Sequence, residues 1–364
     1  MTQANSILET YVDFGWSLFY PFALRAAVLL KVPTIIQAAG PEAALSAKEI
    51  CAHLPNPERA SSETLEKILE ILTCHDMLKS TVDETVETGK KVKKYGLTPL
   101  SRELAGDDSL GADWLLFMTA PEFMKMWPSI HEAVLNPEEA VFNREYGKGA
   151  WQYMKEDVPK FGEFHVEIMK KISVKQTEAV VDYYDEEFRN FTGTLVDVGG
   201  SEGATAAILA SKYPNIKCVV NFDLPDVVKG APAYPRVEHV GGSFLDFVPQ
   251  GDMLFLKFVL LNWNDEQLVK LLRNCFKALP AKGGKIIMVE KVEPDEVQEE
   301  SRPARLRMAA QSLGTSLVFM GAKLRTLREH QVAAEAAGFS NFRIGKSVDT
   351  LTFMEAEKAP IIAS

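Results

Sequence analysis

The opening stretch, roughly residues 6 to 37, places apolar residues on more than one face of a helical pattern. A helix of that kind needs several neighbours. Either deep burial or an intertwined dimer would supply them. "LSAKEICAHLP" has Ser46 followed three residues later by Glu49, a capping box that starts a short helix. A longer helix is predicted from about Ser62 to Cys74. "MLKSTVDETVETGKKVKKYGLT" then alternates charged and β-branched residues around a glycine, the pattern of a two-stranded wing. Two helices and a wing make a winged-helix arrangement.

Residues 113 to 175 hold "WLLFMTAPEFMKMW" and "FGEFHVEIMKK". Aromatic residues and Met at helical spacing form either plain core or a wide, adaptable apolar pocket. From about residue 191 strands alternate with helices: "TLVDVGG", a helix over 203 to 213, "KCVVNFDLP", "VEHVGGSF", "DMLFLKFVL", a helix over 265 to 279, and "GGKIIMVEKV". That alternation predicts an α/β fold with a doubly wound parallel sheet. "FRIGKSVDTLTFMEAE" reads as an antiparallel closing hairpin with a tight connection. The expected division is 1–112, 113–190 and 191–364.

The chain has 364 residues, 46% of them hydrophobic and 25% charged, an ordinary globular composition with length enough for two domains. A winged helix raises DNA binding as a function, but the net charge of −10 and the lack of clustered Arg on "SETLEKILEILTC" weigh against nucleic acid. Dimerisation is the better use of that fold. Cys51, Cys74, Cys218 and Cys275 show no CxxC spacing, so neither a zinc site nor a disulfide framework is expected, and a reducing, cytoplasmic setting fits. "YPFALRAAVLLKV" is too short and too charged to span a bilayer, so no membrane partner is expected.

"LVDVGGSEGATAA" follows a strand and opens a helix, so its glycines permit a tight turn and close backbone approach by a ligand at the helix amino end. Asp223 ends the next strand, about 20 residues on, where a carboxylate can hold both hydroxyls of a ribose. The spacing is G-G-x-x-G rather than the G-x-G-x-x-G of dinucleotide sites, which suits a nucleoside without a pyrophosphate. S-adenosylmethionine is the natural candidate.

"LVDVGGSEG", "SKYPNIKCVVNFDLPDVV", "YPRVEHVGGSF", "LLRNCFKALPAKGGKIIMVE", "HQVAAEAAGFSNFRI" and, in the amino-terminal half, "YPFALRAAVLLKVPTIIQAAGP" together resemble plant small-molecule O-methyltransferases of the caffeic acid and isoflavone type. The resemblance covers nearly the whole chain. It implies a class I methyltransferase Rossmann-like sheet, an amino-terminal winged-helix dimerisation domain reaching into the partner of a homodimer, S-adenosylmethionine or bound S-adenosylhomocysteine, a small-molecule substrate and no metal. It also implies a His at the end of the fourth strand that takes a proton from a phenol, held by two carboxylates.

Carried over residue by residue, the cofactor positions are Gly199, Gly200, Gly203, Asp223 and Lys257, with Ser243 and Phe244 in "GGSF". Ser243 stands where the family has an acidic residue facing the adenine, Ser201 replaces the third glycine of the turn, and Glu202 is unusual beside it. In "KFVLLNWNDEQ" the family's "HDW" is "LNW": Leu261 replaces the base and Asn262 its acidic neighbour. Glu290 remains as one supporting carboxylate, and Leu324 in "GAKLRT" replaces the other. His165 falls where the family presents an aromatic residue to substrate, with Phe161 and Met169 one helical turn to either side. It is either a replacement acid or base or a hydrogen-bonded helix histidine, whereas His239 reads as structural. Further pocket candidates are Phe117, Met118, Met124, Trp127, Phe258, Thr315 and Phe319.

These departures leave three readings. The first is a methyltransferase acting without the usual base on a small aromatic or alkaloid metabolite. The second is a repurposed, non-methylating cyclase or isomerase. The third is a silent dimer partner.

Overall fold

The computed structural model describes residues 3–84, 91–293, 302–319, 321–348 and 351–358. The chain divides into two compact units, with the division between Lys125 and Met126.

The first unit opens with three helices, Gln3–Ser17, Phe19–Leu29 and Val32–Ala38, where the apolar pattern predicts one. Lys31 is left-handed at φ 54° and Pro33 occupies the first turn of the third helix. Proline has no N–H for the preceding turn, so the helix stops and restarts. Deep burial of the opening helix is also corrected: Tyr11 and Phe14 are 71% and 74% exposed, and Ile7, Leu8 and Trp16 lie open beside them. The helix Ser62–Cys74 forms as expected and buries Leu65, Leu69 and Leu72, an i, i+4, i+7 stripe. They pack with Ala27, Ile36, Ile50 and Tyr95. Ser46 and Glu49 form the expected capping box on the helix Ala47–Cys51.

Strands β1 (Ala44–Leu45), β2 (Leu78–Glu84) and β3 (Lys91–Leu97) form an antiparallel sheet in the order β1-β3-β2. Pairing of β2 with β3 makes the expected wing. Its tip, residues 85–90, lies outside the described residues.

The second unit is built on β4 (Thr194–Val198), β5 (Cys218–Asp223), β6 (Val237–Gly241), β7 (Met253–Lys257) and β8 (Lys285–Glu290). The two-residue strands β9 (Val292–Glu293) and β10 (Arg325–Thr326) pair separately, and β11 (Phe339–Val348) and β12 (Leu351–Lys358) close the chain. The seven-stranded sheet runs β11-β12-β8-β7-β4-β5-β6. β4 to β8 are parallel and the last two strands antiparallel. The turn between them, residues 349–350, lies outside the described residues.

β4, β7 and β8 are buried almost throughout because side chains from helices pack on both faces of the sheet, which is why they read as continuous apolar runs. The helix Asp265–Ala278 buries Leu268, Leu271, Leu272 and Cys275 on one face, each fully buried Leu contributing about 1.5–3 kcal/mol. β4 pairs with β5 on one side and β7 on the other, so the winding reverses there. The crevice beyond the carboxyl ends of β4 and β7 is the place such a sheet offers a ligand. Segment 113–190 contributes helices to both units.

Candidate active site and cofactor cradle

β4 runs into a turn built for close approach. Gly203 has φ +86° and caps the nine-residue helix Ala204–Lys212. A Cβ on Gly200 would lie 2.1 Å from Asn221 Oδ1 and 2.6 Å from Asp197 Oδ2, so only glycine fits. Ser201, in the position of the third glycine, is held at φ 52°, a conformation that costs an L-residue roughly 1–2 kcal/mol. Its N–H donates to Asp223 Oδ2 at 2.8 Å, and Leu224 N–H donates to Oδ1 at 2.7 Å. Each carboxylate oxygen keeps an acceptor site. Burial raises the Asp223 carboxyl above its ordinary range.

Asn221 fastens the turn from beneath: its Nδ2 donates to Ser201 O at 2.8 Å and lies 3.0 Å from His239 Nδ1. His239 Nε2 lies 3.0 Å from Pro232 O. A carbonyl can only accept, so the His239 proton is on Nε2 and its Nδ1 accepts from Asn221. That network gives His239 the structural role its sequence context suggests.

Lys257, at the end of β7, donates to Ser173 Oγ at 2.7 Å. Ser173 Oγ and Thr205 Oγ1 are 3.1 Å apart, as are Thr205 Oγ1 and Thr177 Oγ1, and Thr177 donates to Ser173 O at 2.7 Å. The proton direction follows from the two ends. Thr177 has its proton committed, so Thr205 donates to it and Ser173 donates to Thr205. Lys257 thus ties the long helix Pro159–Tyr183 to the sheet while two of its three donors remain. Burial brings its amine down to about 8 against the pull of Asp197 and Glu290. Buried Asp197, with one oxygen lacking a partner, is pushed up to about 7 by burial, against Lys257.

Beyond Lys257, Phe258 adopts φ 57° and a short 3-10 turn, Leu260–Asn262, follows. Leu261 and Leu324 are 8% and 2% exposed, and their segments run side by side, Lys323 N–H donating to Leu261 O at 3.2 Å. Arg325, fully buried, donates to Leu260 O at 3.1 Å, Trp263 O at 2.6 Å and Asp265 Oδ1 at 2.8 Å. Glu290 Oε2 accepts the Leu261 N–H at 3.0 Å, and its Oε1 is buried without a hydrogen-bond partner among the described residues. Burial pushes this carboxyl up to about 8, so it is mostly protonated at neutral pH. Asn262 is half-buried in the same turn.

His165 lies on the Pro159–Tyr183 helix with Phe161 and Met169, all three half-buried. Trp151 meets it edge-on at 5.4 Å and stacks on Phe319 at 5.2 Å. Burial lowers the His165 pKa to about 4, so the ring is neutral at pH 7. Thr315 donates back to Gln311 O at 2.9 Å on the helix Arg302–Val318. Lys291 donates to Gln311 Oε1 at 2.8 Å and stands 5.7 Å from the Phe258 ring centre. Trp127 is half-buried in a 3-10 turn. Phe117, Met118 and Met124 belong to the first unit, where Phe117 packs on Phe123 at 4.8 Å.

Ser243 Oγ accepts the Leu245 N–H at 3.3 Å within its own turn, and Phe244 meets Trp263 edge-on at 5.2 Å. Among the described residues no group of three or more His, Cys, Asp or Glu could hold a metal ion, and no single helix is long and apolar enough to cross a membrane. Arg325, Ser173, Thr205, Trp151, Lys291 and Gln311 escape the sequence reading. Their roles depend on partners far along the chain, and no local pattern marks them.

The residues of the β4 turn and β5 end fit a nucleoside: a glycine wall that any Cβ would fill, a helix amino end, and a carboxylate with acceptor capacity to spare. Residues 127–340 match the O-methyltransferase domain, and residues 16–107 the O-methyltransferase dimerisation domain. O-methyltransferase 11 of Lophophora williamsii is 36% identical over 92% of this chain and 85% of its own. Myricetin 3'-O-methyltransferase 4 of Solanum lycopersicum is 36% identical over 90% and 88%, and nicotinate N-methyltransferase 1 of Glycine max is 35% identical over 93% of both. The fold matches human N-acetylserotonin methyltransferase, solved with SAM, at TM-score 0.76 and 23% identity over 99% of each chain. It matches the SAH-bound calicheamicin-biosynthesis methyltransferase equally well, at 0.76 and 23% over 99% of this chain and 100% of that one. The chain belongs to the S-adenosylmethionine-dependent O-methyltransferase family and carries that family's dimerisation domain.

Proposed function

We propose that this enzyme transfers the methyl group of S-adenosylmethionine to a small metabolite whose accepting atom needs no base from the protein. The observation that carries this reading is the corner around Leu261. Both positions that would supply the proton path are buried leucines, and the remaining acid, Glu290, is engaged by the Leu261 backbone with a raised pKa. A corner of that kind offers no base to take a proton and leaves proton removal to the substrate and solvent. A ring nitrogen or a hydroxyl already ionised in water meets that demand, and one relative is named a nicotinate N-methyltransferase.

Bound there, S-adenosylmethionine supplies an electrophilic methyl. Asp223 would hold the ribose hydroxyls, the N–H groups opening the Ala204–Lys212 helix and the Gly199–Gly203 turn would donate to the cofactor's polar groups, Phe244 beside Ser243 would line the adenine end, and Lys257 fixes the Pro159–Tyr183 helix against the sheet. Neutral His165, with Trp151, Phe161, Met169 and Phe319, orients the acceptor and excludes water. Near-attack placement alone supports large rate gains, whereas a general base typically adds about a hundred- to ten-thousand-fold, so turnover of protonated phenols is slow. The exposed apolar face of the first helix fits pairing with a second copy.

Ser243, where an acidic adenine contact is absent, favours a second reading in which the fold has turned to non-methylating chemistry. Calorimetry with S-adenosylmethionine and S-adenosylhomocysteine separates the two. Binding of both supports methyl transfer, and binding of neither sinks it.

A further inference from the structure

The helix Pro159–Tyr183 packs along the start of the helix Ala204–Lys212, and Lys170, Ser173 and Thr177 stand a turn apart on one of its faces. Ser173 and Thr177 meet Thr205 there, and Ser173 takes a proton from Lys257 in a hydrogen bond. One turn towards the amino end the contact changes from hydroxyls to charges. Lys170 Nζ stands 3.9 Å from Glu202 Oε2, a spacing wider than a hydrogen bond. Lys170 thus reaches the glycine turn, in which Glu202 follows Ser201, whose N–H faces Asp223, and precedes Gly203, which caps the helix.

The two charges are matched without being joined. Their side chains are partly open, 36% exposed for Lys170 and 28% for Glu202, and an ion pair in that setting contributes little to stability. An ammonium carries three donors and a carboxylate about four acceptor sites, so both keep capacity for a ligand. An anion on the turn and a cation on the neighbouring helix complement a group that carries both charges side by side. An α-amino acid, with its ammonium and carboxylate on one carbon, is such a group.

We propose that Glu202 and Lys170 receive the amino-acid end of the cofactor, Glu202 taking its ammonium and Lys170 its carboxylate. This rests on the methyltransferase reading, and it deepens that reading by giving a task to Glu202, the unusual acid of the turn. Asp223 then serves the ribose and the Glu202–Lys170 pair serves the far end of the same molecule.

S-adenosylhomocysteine and 5′-methylthioadenosine share the nucleoside thioether and differ in the amino-acid end, so their affinities for the full-length protein, measured by calorimetry, make the test. Wild type is expected to favour S-adenosylhomocysteine by at least about a hundredfold, as two charge-assisted hydrogen bonds imply. Glu202→Gln and Lys170→Gln are each expected to weaken S-adenosylhomocysteine by about ten- to a hundredfold and to leave 5′-methylthioadenosine unchanged. Unchanged S-adenosylhomocysteine affinity in either variant overturns the proposal, and so does an equal loss for the two ligands, which marks a turn that has lost its shape. Wild type that binds neither ligand defeats the methyltransferase reading and the proposal with it. Wild type that binds both, with variants that lose nothing, defeats the proposal alone.

Discussion

Glu290 accepts the backbone N–H of Leu261 at 3.0 Å through one oxygen and leaves the other buried with no hydrogen-bond partner among the described residues. Burial of that kind favours the protonated acid. The hydrogen bond fastens the turn that follows β7.

That fastening predicts a pH signature. Glu290 has a folded pKa of about 8 against an ordinary value of about 4.3, so between these values the folded chain holds a proton the unfolded chain has released. Its contribution to stability is fully present below the lower value and is lost as pH rises through the upper one, by about 1.4 kcal/mol per pH unit at most. Glu290→Gln, which mimics the protonated acid, is expected to flatten this fall and to be the more stable protein at pH 8. Denaturant titrations from pH 5 to 8 check it, and identical slopes in both proteins count against it.

Ser201 at φ 52° predicts a stabilising substitution. Ser201→Gly removes the left-handed strain of roughly 1–2 kcal/mol and gives back part of it as unfolded-chain entropy. The net gain is expected to be under about 1 kcal/mol, visible as a small rise in Tm, with cofactor affinity kept because the N–H donated to Asp223 is unaltered.

Asp223 predicts the opposite. Asp223→Ala removes the acceptor for the ribose and for the Ser201 and Leu224 amides, and S-adenosylhomocysteine affinity is expected to fall at least about tenfold. Unchanged affinity by calorimetry removes Asp223 from the cofactor site.

The sheet, the wing, the Ser46–Glu49 cap and the glycine turn were all legible in the sequence, because each is encoded by residues within a few positions of one another. The opening apolar pattern predicts one helix because periodicity alone does not register the break that Lys31 and Pro33 impose. The buried Arg325 clamp and the Lys257–Ser173–Thr205–Thr177 chain join residues 28 to 84 positions apart, which no local pattern records. The sequence comparison suggests Leu261 and Leu324 as replacements in a family motif. Only the structure shows them on adjacent segments beside an orphaned carboxyl oxygen.

His165 carries a further expectation. With its pKa lowered to about 4 by burial, it is a neutral hydrogen-bonding group throughout the physiological range. His165→Phe is expected to raise KM with a smaller change in kcat, the pattern of a positioning residue. An equal fall of kcat and kcat/KM with unchanged KM would instead assign it to the chemical step.

The central claim, that the acceptor must present its own ionised or unprotonated atom, is tested most directly by the pH profile of kcat/KM for methylation of a catechol by the wild-type enzyme. A rise of about tenfold per pH unit from about pH 6 to 8.5 is expected, following ionisation of the catechol, with no inflection from an enzyme base. A plateau above about pH 7, set by a protein group near the ordinary histidine value, would contradict it.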